Sequence, residues 1–91
     1  MSYRLEKTPE FERDFARLDP ETARRIATKI EWLAEHPEAI PAPMKHLPRD
    51  LAGLRKYRIG AYRVFFWMSR PQRVLTLYGV EHRRSVYRDL Q

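Results

Sequence analysis

Residues 53–68 read GLRKYRIGAYRVFFWM, and this stretch predicts two β-strands joined by a tight turn at Gly60 and Ala61. Glycine at the first of two central turn positions suits a type II′ hairpin, because glycine adopts positive φ at no steric cost. β-Branched and aromatic residues stand on both sides of the turn, as is typical of strands. The stretch therefore predicts a β-hairpin around which the rest of the chain is arranged.

A two-residue turn also predicts how the strands pair. We expect Ile59 opposite Tyr62 and Arg58 opposite Arg63, with successive side chains alternating between two faces. One face carries apolar and aromatic side chains and is the expected core side: Tyr57, Ile59, Tyr62, Val64, Phe66 and Met68. The opposite face, called the basic face from here on, carries Lys56, Arg58 and Arg63, with Leu54, Phe65 and Trp67 on the same side.

The basic face needs an explanation, because like charges directly opposite each other destabilise a hairpin. Either the long side chains extend into water at little cost, or the face receives an anion such as a phosphate. The apolar and aromatic side chains beside the cations are either partly covered or available for stacking. The hairpin alone leaves these alternatives open.

The composition narrows the class of protein. A length of 91 residues predicts one domain spanning residues 1–91. The absence of cysteine excludes a disulfide framework, a thiol nucleophile and a cysteine-based zinc site. No apolar run approaches the roughly 20 residues of a membrane span, and the N-terminus lacks the apolar segment of a signal peptide. We therefore expect a soluble cytoplasmic protein with no membrane partner.

The net charge of +6 is concentrated in the second half of the chain. Residues 1–43 carry 7 Lys and Arg against 9 Asp and Glu, whereas residues 44–91 carry 11 against 3. The half that contains the hairpin is therefore strongly basic. This asymmetry favours an acidic partner, either a nucleic acid or an acidic protein segment.

The N-terminal third predicts a strand and a helical hairpin. Residues 3–7 read as a short strand, after which Thr8 and Asp19, each followed by proline, are expected to cap two helices. The second helix is expected to end near Glu35, before Pro37. Apolar side chains recur at helical spacing in both helices: Phe11, Phe15 and Leu18, then Ala23, Ile26, Ala27, Ile30, Leu33 and Ala34. The outer faces carry charged residues that we expect to be a solvated surface: Glu12, Asp14, Arg24, Arg25 and Glu31.

The rest of the chain predicts a loop and a sheet. Residues 36–48 hold 4 of the 7 prolines and read as an irregular loop. A turn at residues 69–72 follows the hairpin, residues 74–80 read as a central strand, and residues 82–88 as a short helix. The fold class is therefore α+β, with an N-terminal strand and a helical hairpin packed on an antiparallel-rich sheet of about four strands. The position of the first strand in that sheet is left open.

Two motifs carry a resemblance to a known family. The hairpin motif LRKYRIGAYRV at residues 54–64 is followed near the C-terminus by EHRRSVYR at residues 81–88. With the helical hairpin before them, they resemble the RelE/ParE superfamily of bacterial toxins from type II toxin–antitoxin pairs, over essentially the whole chain. The resemblance implies a RelE-like, microbial RNase-like fold and a toxin that cleaves messenger RNA in the ribosomal A site without a metal or other cofactor.

The implied reaction sets the roles of the expected site residues. The ribose 2′-hydroxyl attacks the adjacent phosphate, expels the 5′-oxygen of the next nucleotide and leaves a cyclic phosphate. This chemistry requires a base, cations on the transition state, an acid and an aromatic that holds a nucleotide. By resemblance, Lys56 and Arg58 would accept a proton or contact the phosphate, and Arg63 would be the central phosphate-stabilising arginine.

The C-terminal motif supplies the other expected catalytic residues. By resemblance, His82 and Arg83 would provide the acid or a further cation, and Tyr87 would stack on or orient the nucleotide. The simpler alternatives are a surface histidine at a strand end and a tyrosine packed under the sheet. The motif departs from RelE at Glu81, where an active-site arginine is expected, and Arg83 is expected to substitute for it through a shifted register.

Three functions share this fold, and the fold does not decide among them. The first is a ribosome-dependent mRNA endonuclease, the second a ParE-branch poison of DNA gyrase, and the third a non-catalytic module that binds only an antitoxin. The retained basic and aromatic site residues favour the first. The expected partners are a cognate antitoxin encoded nearby, whose disordered acidic or amphipathic segment folds on the toxin, and the translating ribosome with its mRNA. A higher-order toxin–antitoxin assembly is compatible with these partners.

Three further side chains stand outside these motifs. Trp32 departs from the apolar stripe of the second helix and predicts a partner-binding or packing edge. His36 and His46 show no metal-ligand spacing, so no metal site is expected.

Overall fold

A computed structural model describes residues 2–83. These residues form two α-helices and four β-strands, with two short 3₁₀ turns at Pro37–Ala39 and Arg49–Leu51. In chain order the elements are β1 (Arg4–Lys7), α1 (Pro9–Ala16), α2 (Pro20–Glu35), β2 (Arg55–Ile59), β3 (Tyr62–Ser69) and β4 (Val74–His82). The expected α+β order of strand, helical hairpin and three strands is confirmed.

The four strands form one mixed sheet in the order β1-β4-β3-β2. The strand β4 is central, as its apolar sequence predicts, and pairs antiparallel with β3. The N-terminal strand β1 pairs parallel with the other side of β4. This parallel pairing is what the sequence left open, because nothing in a four-residue strand specifies its neighbour.

The hairpin forms as its turn predicts. Gly60 has φ +59° and Ala61 has no positive φ, which is the combination that a type II′ turn requires. Ile59 pairs with Tyr62 and Arg58 pairs with Arg63. The expected separation of an apolar face from a basic face follows directly from this register.

Both helices begin at the predicted caps. The Thr8 hydroxyl oxygen accepts the Phe11 N–H at 3.2 Å, and an Asp19 carboxylate oxygen accepts the Thr22 N–H at 3.1 Å. Each cap is followed by proline in the first helical turn, where a missing N–H costs nothing. The helix α2 ends at Glu35, before Pro37, as expected.

The core lies between the two helices and one face of the sheet, called the helix face from here on. The apolar stripes of α1 and α2 meet inward-pointing strand residues in one buried cluster. Its members include Phe11, Ile26, Ile30 and Leu33 from the helices and Val64, Phe66, Leu75, Leu77 and Val80 from the sheet. The predicted stripes therefore supply the core.

The helix α1 is tied to β4 by two side chains near a bulge. Phe65 pairs with Gly79 and Phe66 with Leu77, so one residue of β4 is extra at this point. The Val80 N–H donates to a carboxylate oxygen of Asp14 at 3.0 Å. The Thr8 hydroxyl donates to the Leu77 carbonyl at 2.9 Å. Both groups therefore serve as links between layers, and Asp14 is not the purely solvated residue that its position predicts.

The proline-rich segment between α2 and β2 is held by two side-chain hydrogen bonds. The Arg55 guanidinium donates to the Pro41 carbonyl at 2.6 Å. The Trp67 indole N–H donates to the Ala52 carbonyl at 3.1 Å. The segment therefore lies against the β2–β3 part of the sheet.

The end of β4 differs from the prediction. The strand continues through His82 rather than ending at Val80, so the expected short helix does not begin at His82. Backbone pairing of His82 with Tyr62 extends the ladder to the hairpin turn. Arg83, the last described residue, is helical, and the remainder of that expected helix, residues 84–88, lies outside the described residues. Over residues 2–83, no helix has the length and apolarity to cross a membrane.

Candidate nucleic-acid interface

Three cations lie on the basic face, as the register predicts. Arg58 in β2 and Arg63 in β3 are directly opposite each other, and Lys56 is opposite Phe65. Lys56 and Arg58 are exposed, whereas Arg63, in an inner strand, is half-buried. The sheet therefore presents three basic side chains together on the side opposite α1 and α2.

The row of opposed residues continues into β4. Arg63 pairs with Glu81 on its other side, so Arg58, Arg63 and Glu81 form one line across three strands. Directly opposite residues in antiparallel strands have Cβ atoms about 4.5–5.5 Å apart and share a face. A carboxylate therefore flanks Arg63 where the family resemblance predicts an arginine.

His82 lies on the helix face. It is directly opposite Tyr62, and the two rings meet edge to face with centroids 5.0 Å apart. Asp14 of α1, Arg17 directly after that helix, and Glu81 line the same cavity of about 380 Å³. The structure therefore does not bring His82 together with Lys56, Arg58 and Arg63, because adjacent strand residues point to opposite faces.

The other two C-terminal site residues are placed differently. Arg83 is exposed, and its backbone N–H donates to the Ala61 carbonyl at 2.8 Å, next to the hairpin turn. Tyr87 lies outside the described residues, so its nucleotide-stacking role stays a prediction.

The apolar residues of the basic face are covered at one end of the sheet. Leu54 is 3% exposed, and Trp67 is tethered through its indole N–H to the Ala52 carbonyl. The Trp67 ring also packs on Tyr78, with centroids 5.1 Å apart. Of the two alternatives left open, partial cover is the one observed for Leu54 and Trp67. Phe65 is half-buried between this apolar end and the cations.

A second basic surface adjoins the hairpin on the side of α2. Arg24, Arg25 and Lys29 line a cleft of about 650 Å³ together with Arg58 of β2. The Arg25 guanidinium lies against Gly60, where a Cβ would come within 3.6 Å of its Nη2 atom. Glu21 also lines this cleft and offsets part of its charge. Because β2 is an edge strand, Arg58 borders both the cleft and the basic face.

Sequence reasoning missed this cleft and treated Arg24 and Arg25 as a solvated surface. The sequence feature that could have predicted a basic surface here is the four-residue spacing of Arg25 and Lys29, which places both on one side of α2. The sequence could not show that the edge of β2 lies opposite. Within residues 2–83, Arg24, Arg25 and Arg58 form no ion pair. Their charge is therefore available to an external anion.

Trp32 stands apart from both basic surfaces. It is 39% exposed, stacks on His36 with centroids 4.3 Å apart, and has Lys29 Nζ 4.4 Å from the centre of its ring. It also lines a groove between α2 and the N-terminal strand, and its role as a partner-binding or packing edge stays a prediction. In the part of the chain that the structure describes, no three His, Cys, Asp or Glu side chains group in a way that could hold a metal ion.

Comparison with solved structures places this fold among RelE toxins. The toxin–antitoxin complex RelBE2 of Mycobacterium tuberculosis contains a chain that superimposes with a TM-score of 0.77 at 25% identity, covering 91% of this chain and 93% of that one. The isolated Escherichia coli RelE toxin gives a TM-score of 0.72 at 16% identity, with 98% and 95% covered. The archaeal RelE–RelB complex of Pyrococcus horikoshii gives 0.69 at 19% identity, with 91% and 97% covered. No curated protein sequence matches the chain.

The sequence also matches a protein family directly. The model of the ParE toxin of type II toxin–antitoxin systems matches residues 5–87. The chain therefore belongs to this family, within the RelE/ParE superfamily, and it is a toxin of the type II toxin–antitoxin class. The resemblance carried by the hairpin and the C-terminal motif is confirmed.

Proposed function

We propose that this toxin is a ribosome-dependent endoribonuclease that cleaves messenger RNA by attack of a ribose 2′-hydroxyl on the adjacent phosphate. The observation that carries the proposal is the grouping of Lys56, Arg58 and Arg63 on the side of the sheet opposite α1 and α2. Like charges held opposite each other favour an anion between or above them, because the anion removes their mutual repulsion.

The charge distribution of the reaction supports this assignment. Negative charge accumulates on the phosphoryl oxygens as the 2′-oxygen bonds to phosphorus, and positioned cations lower the energy of that state. Arg63 is in an inner strand and half-buried, so its guanidinium is held more firmly than that of an exposed residue. Arginine also presents planar paired donors that suit phosphate oxygens. Arg63 is therefore the central phosphate ligand in this proposal, with Arg58 and Lys56 beside it.

The cleft lined by Arg24, Arg25 and Lys29 extends the same surface. Because Arg58 borders both regions, a polyanion that crosses the edge of β2 contacts basic side chains throughout. Such contacts supply affinity without base specificity and weaken with salt. RNA of the ribosome would contact the basic face and the adjoining cleft together. A toxin that acts on ribosomes would work in the cytoplasm.

An antitoxin is the second proposed partner. The RelBE2 and archaeal RelE–RelB structures are complexes of a toxin with its antitoxin. By analogy we expect a cognate antitoxin whose acidic or amphipathic segment folds on this toxin and covers the basic face, as charge complementarity favours. Higher-order toxin–antitoxin assemblies are compatible with this arrangement.

Poisoning of DNA gyrase is the alternative function. Two observations favour it: the family that matches is that of ParE toxins, and His82 is on the helix face, away from the cations. A toxin without an assembled acid and base would bind its target without cutting RNA. A non-catalytic antitoxin-binding module would leave both messages and DNA intact.

One experiment distinguishes these functions. After brief expression of the toxin, primer extension on cellular messages is expected to show cuts inside translated codons. Arg63→Ala is expected to reduce cleavage by about 10²-fold or more, because it removes a transition-state cation. Arg70→Ala, in the exposed turn between β3 and β4, is the matched control and is expected to cut normally.

The contrary outcomes are equally clear. Double-strand DNA breaks with intact messages would support gyrase poisoning, and the absence of both would leave the binding module. A large drop in the melting temperature of the Arg63→Ala variant would assign Arg63 a structural role instead.

A further inference from the structure

Glu81 is the residue at which this chain departs from the pattern of RelE, and the sheet register gives the departure a chemical meaning. Glu81 lies directly opposite Arg63, in the same cross-strand row as Arg58. A strand ladder holds both residues, since β4 is central in the sheet and β3 is its direct neighbour. Their relative position is therefore set by backbone hydrogen bonds rather than by a loop.

The proposed reaction needs a group that accepts the proton of the 2′-hydroxyl. Apart from Glu81, the described polar side chains of the basic face are Lys56, Arg58 and Arg63, whose ammonium and guanidinium groups are hydrogen-bond donors. Lysine accepts a proton only after losing one, and arginine does not lose its proton in proteins. A carboxylate is already a proton acceptor at neutral pH.

Histidine would be the usual choice of proton acceptor near neutral pH. His82, however, is opposite Tyr62 on the helix face, with its ring against the tyrosine ring. The position before it in β4 is Glu81, which pairs with Arg63 in the row of the basic face and also contributes to the lining of the His82 cavity at the end of the sheet. The alternation that removes His82 from the basic face therefore places a carboxylate there.

We propose that Glu81 is a catalytic residue, the general base that takes the 2′-hydroxyl proton while Arg63 holds the neighbouring phosphate. The inference rests on the proposed endoribonuclease function. The 2′-oxygen forms a bond to phosphorus as its proton passes to the Glu81 carboxylate. The bond between phosphorus and the 5′-oxygen breaks, that oxygen takes a proton from water, and the proton on Glu81 then passes to the hydroxide left behind. The products are a 2′,3′-cyclic phosphate and a free 5′-hydroxyl.

The spacing in the row suits these two roles. In a nucleotide, the 2′-oxygen and the phosphoryl oxygens are neighbouring groups. Glu81 and Arg63 are neighbouring side chains, with Cβ atoms about 4.5–5.5 Å apart for residues directly opposite. One bound nucleotide can therefore meet the carboxylate with its 2′-hydroxyl and the guanidinium with its phosphate. Arg58, on the far side of Arg63, is placed for the next phosphate oxygen or for the adjoining phosphate.

A competing role makes the opposite prediction. If Glu81 only neutralises Arg63, the carboxylate weakens the cation that binds phosphate, and its removal increases cleavage. Glu81→Gln separates the two roles, because it keeps the shape of the side chain and removes its charge and basicity. Glu81→Asp keeps the carboxylate but shortens its reach.

The test measures single-turnover cleavage of a short message bound in the A site of purified ribosomes, with toxin in excess. Glu81→Gln is expected to slow cleavage by about 10²–10⁴-fold, the usual contribution of a general base. Binding of the toxin to the programmed ribosome is expected to stay unchanged, and Glu81→Asp is expected to retain part of the rate. The control is Glu6→Gln, an exposed carboxylate in β1 that pairs with Arg4 at 3.6 Å and is expected to cut normally.

The outcomes separate this inference from the function on which it rests. Normal or faster cleavage by Glu81→Gln, with a wild type that cuts, overturns the role of Glu81 and leaves the endoribonuclease intact. The same holds if Glu81→Gln loses ribosome binding in proportion to cleavage. A wild type that cuts no message, and a message with a 2′-deoxy nucleotide that is cut normally, each overturn the proposed chemistry together with the inference.

Discussion

The two faces of the sheet differ in burial and charge, and adjacent residues of β3 show how. Phe66 is 1% exposed in the core, whereas Phe65 is half-buried beside the cations. The same strand therefore contributes to stability with one set of side chains and to the candidate site with the other. Because strand side chains alternate, a substitution at a cation of the basic face leaves the packing against the helices in place.

The largest expected change in stability comes from substituting Phe66, the buried member of the pair Phe65 and Phe66. Phe66→Ala is expected to lower the free energy of unfolding by about 3–5 kcal/mol, since it removes a fully buried ring and leaves a cavity. Phe65→Ala, the matched control, is expected to cost about 1 kcal/mol or less. Urea unfolding of both variants measures the difference, and equal losses would contradict the division of the sheet into two faces.

Gly79 lies at the bulge of β4, where the helix face meets α1. A Cβ on Gly79 would come within 3.0 Å of an Asp14 carboxylate oxygen, the same atom that accepts the Val80 N–H. Gly79→Ala is therefore expected to displace the carboxylate and to cost about 1–3 kcal/mol, the range for a buried donor left without its acceptor.

The coupling can be measured with a double-mutant cycle. When Asp14→Ala has already removed the carboxylate, Gly79→Ala is expected to cost much less than in the wild type. Strictly additive losses in thermal or urea unfolding would show that the close approach of α1 does not depend on Gly79.

The smallest expected effect lies at an exposed helix cap, away from both faces. Hydrogen bonds from the Thr22 side chain and from its backbone N–H hold the pKa of Asp19 below its usual value. The ionised cap therefore stabilises the fold above the unfolded pKa of about 3.9, and this contribution disappears as pH falls through the lower folded pKa.

Asp19→Asn provides the matched control, because asparagine caps helices equally well and does not titrate. Between pH 7 and pH 2 the melting temperature of the wild type is expected to fall relative to that of the variant by about 1–3 °C. A constant difference between the two melting temperatures across that range would contradict an ionised cap.

The two helix caps show how far sequence reasoning reaches. Thr8 and Asp19 both precede proline, and both were predicted to accept an N–H from the first turn, as they do. Only the structure shows that the Thr8 hydroxyl also donates to Leu77, 69 residues away. A cap depends on neighbouring residues in the chain, whereas a link between layers depends on where distant elements pack.

In the candidate site, too, some features follow from local sequence and others from the packing of distant elements. The turn at Gly60 predicts that Arg58 and Arg63 oppose each other, because two residues are too few to allow another register. It does not predict that Glu81 completes their row or that His82 faces away, since both depend on how β4 pairs with β3. The cleft at Arg25 depends in turn on the packing of α2 against the edge of β2.

Local physical chemistry thus determined the helix caps, the turn type, the apolar stripes and the pairing within the hairpin, because each depends on residues a few positions apart. Tertiary structure decided the parallel pairing of β1, the bulge in β4 and the position of Glu81 beside Arg63. These features join residues far apart in the chain, and a long connection leaves many pairings open until the core is packed.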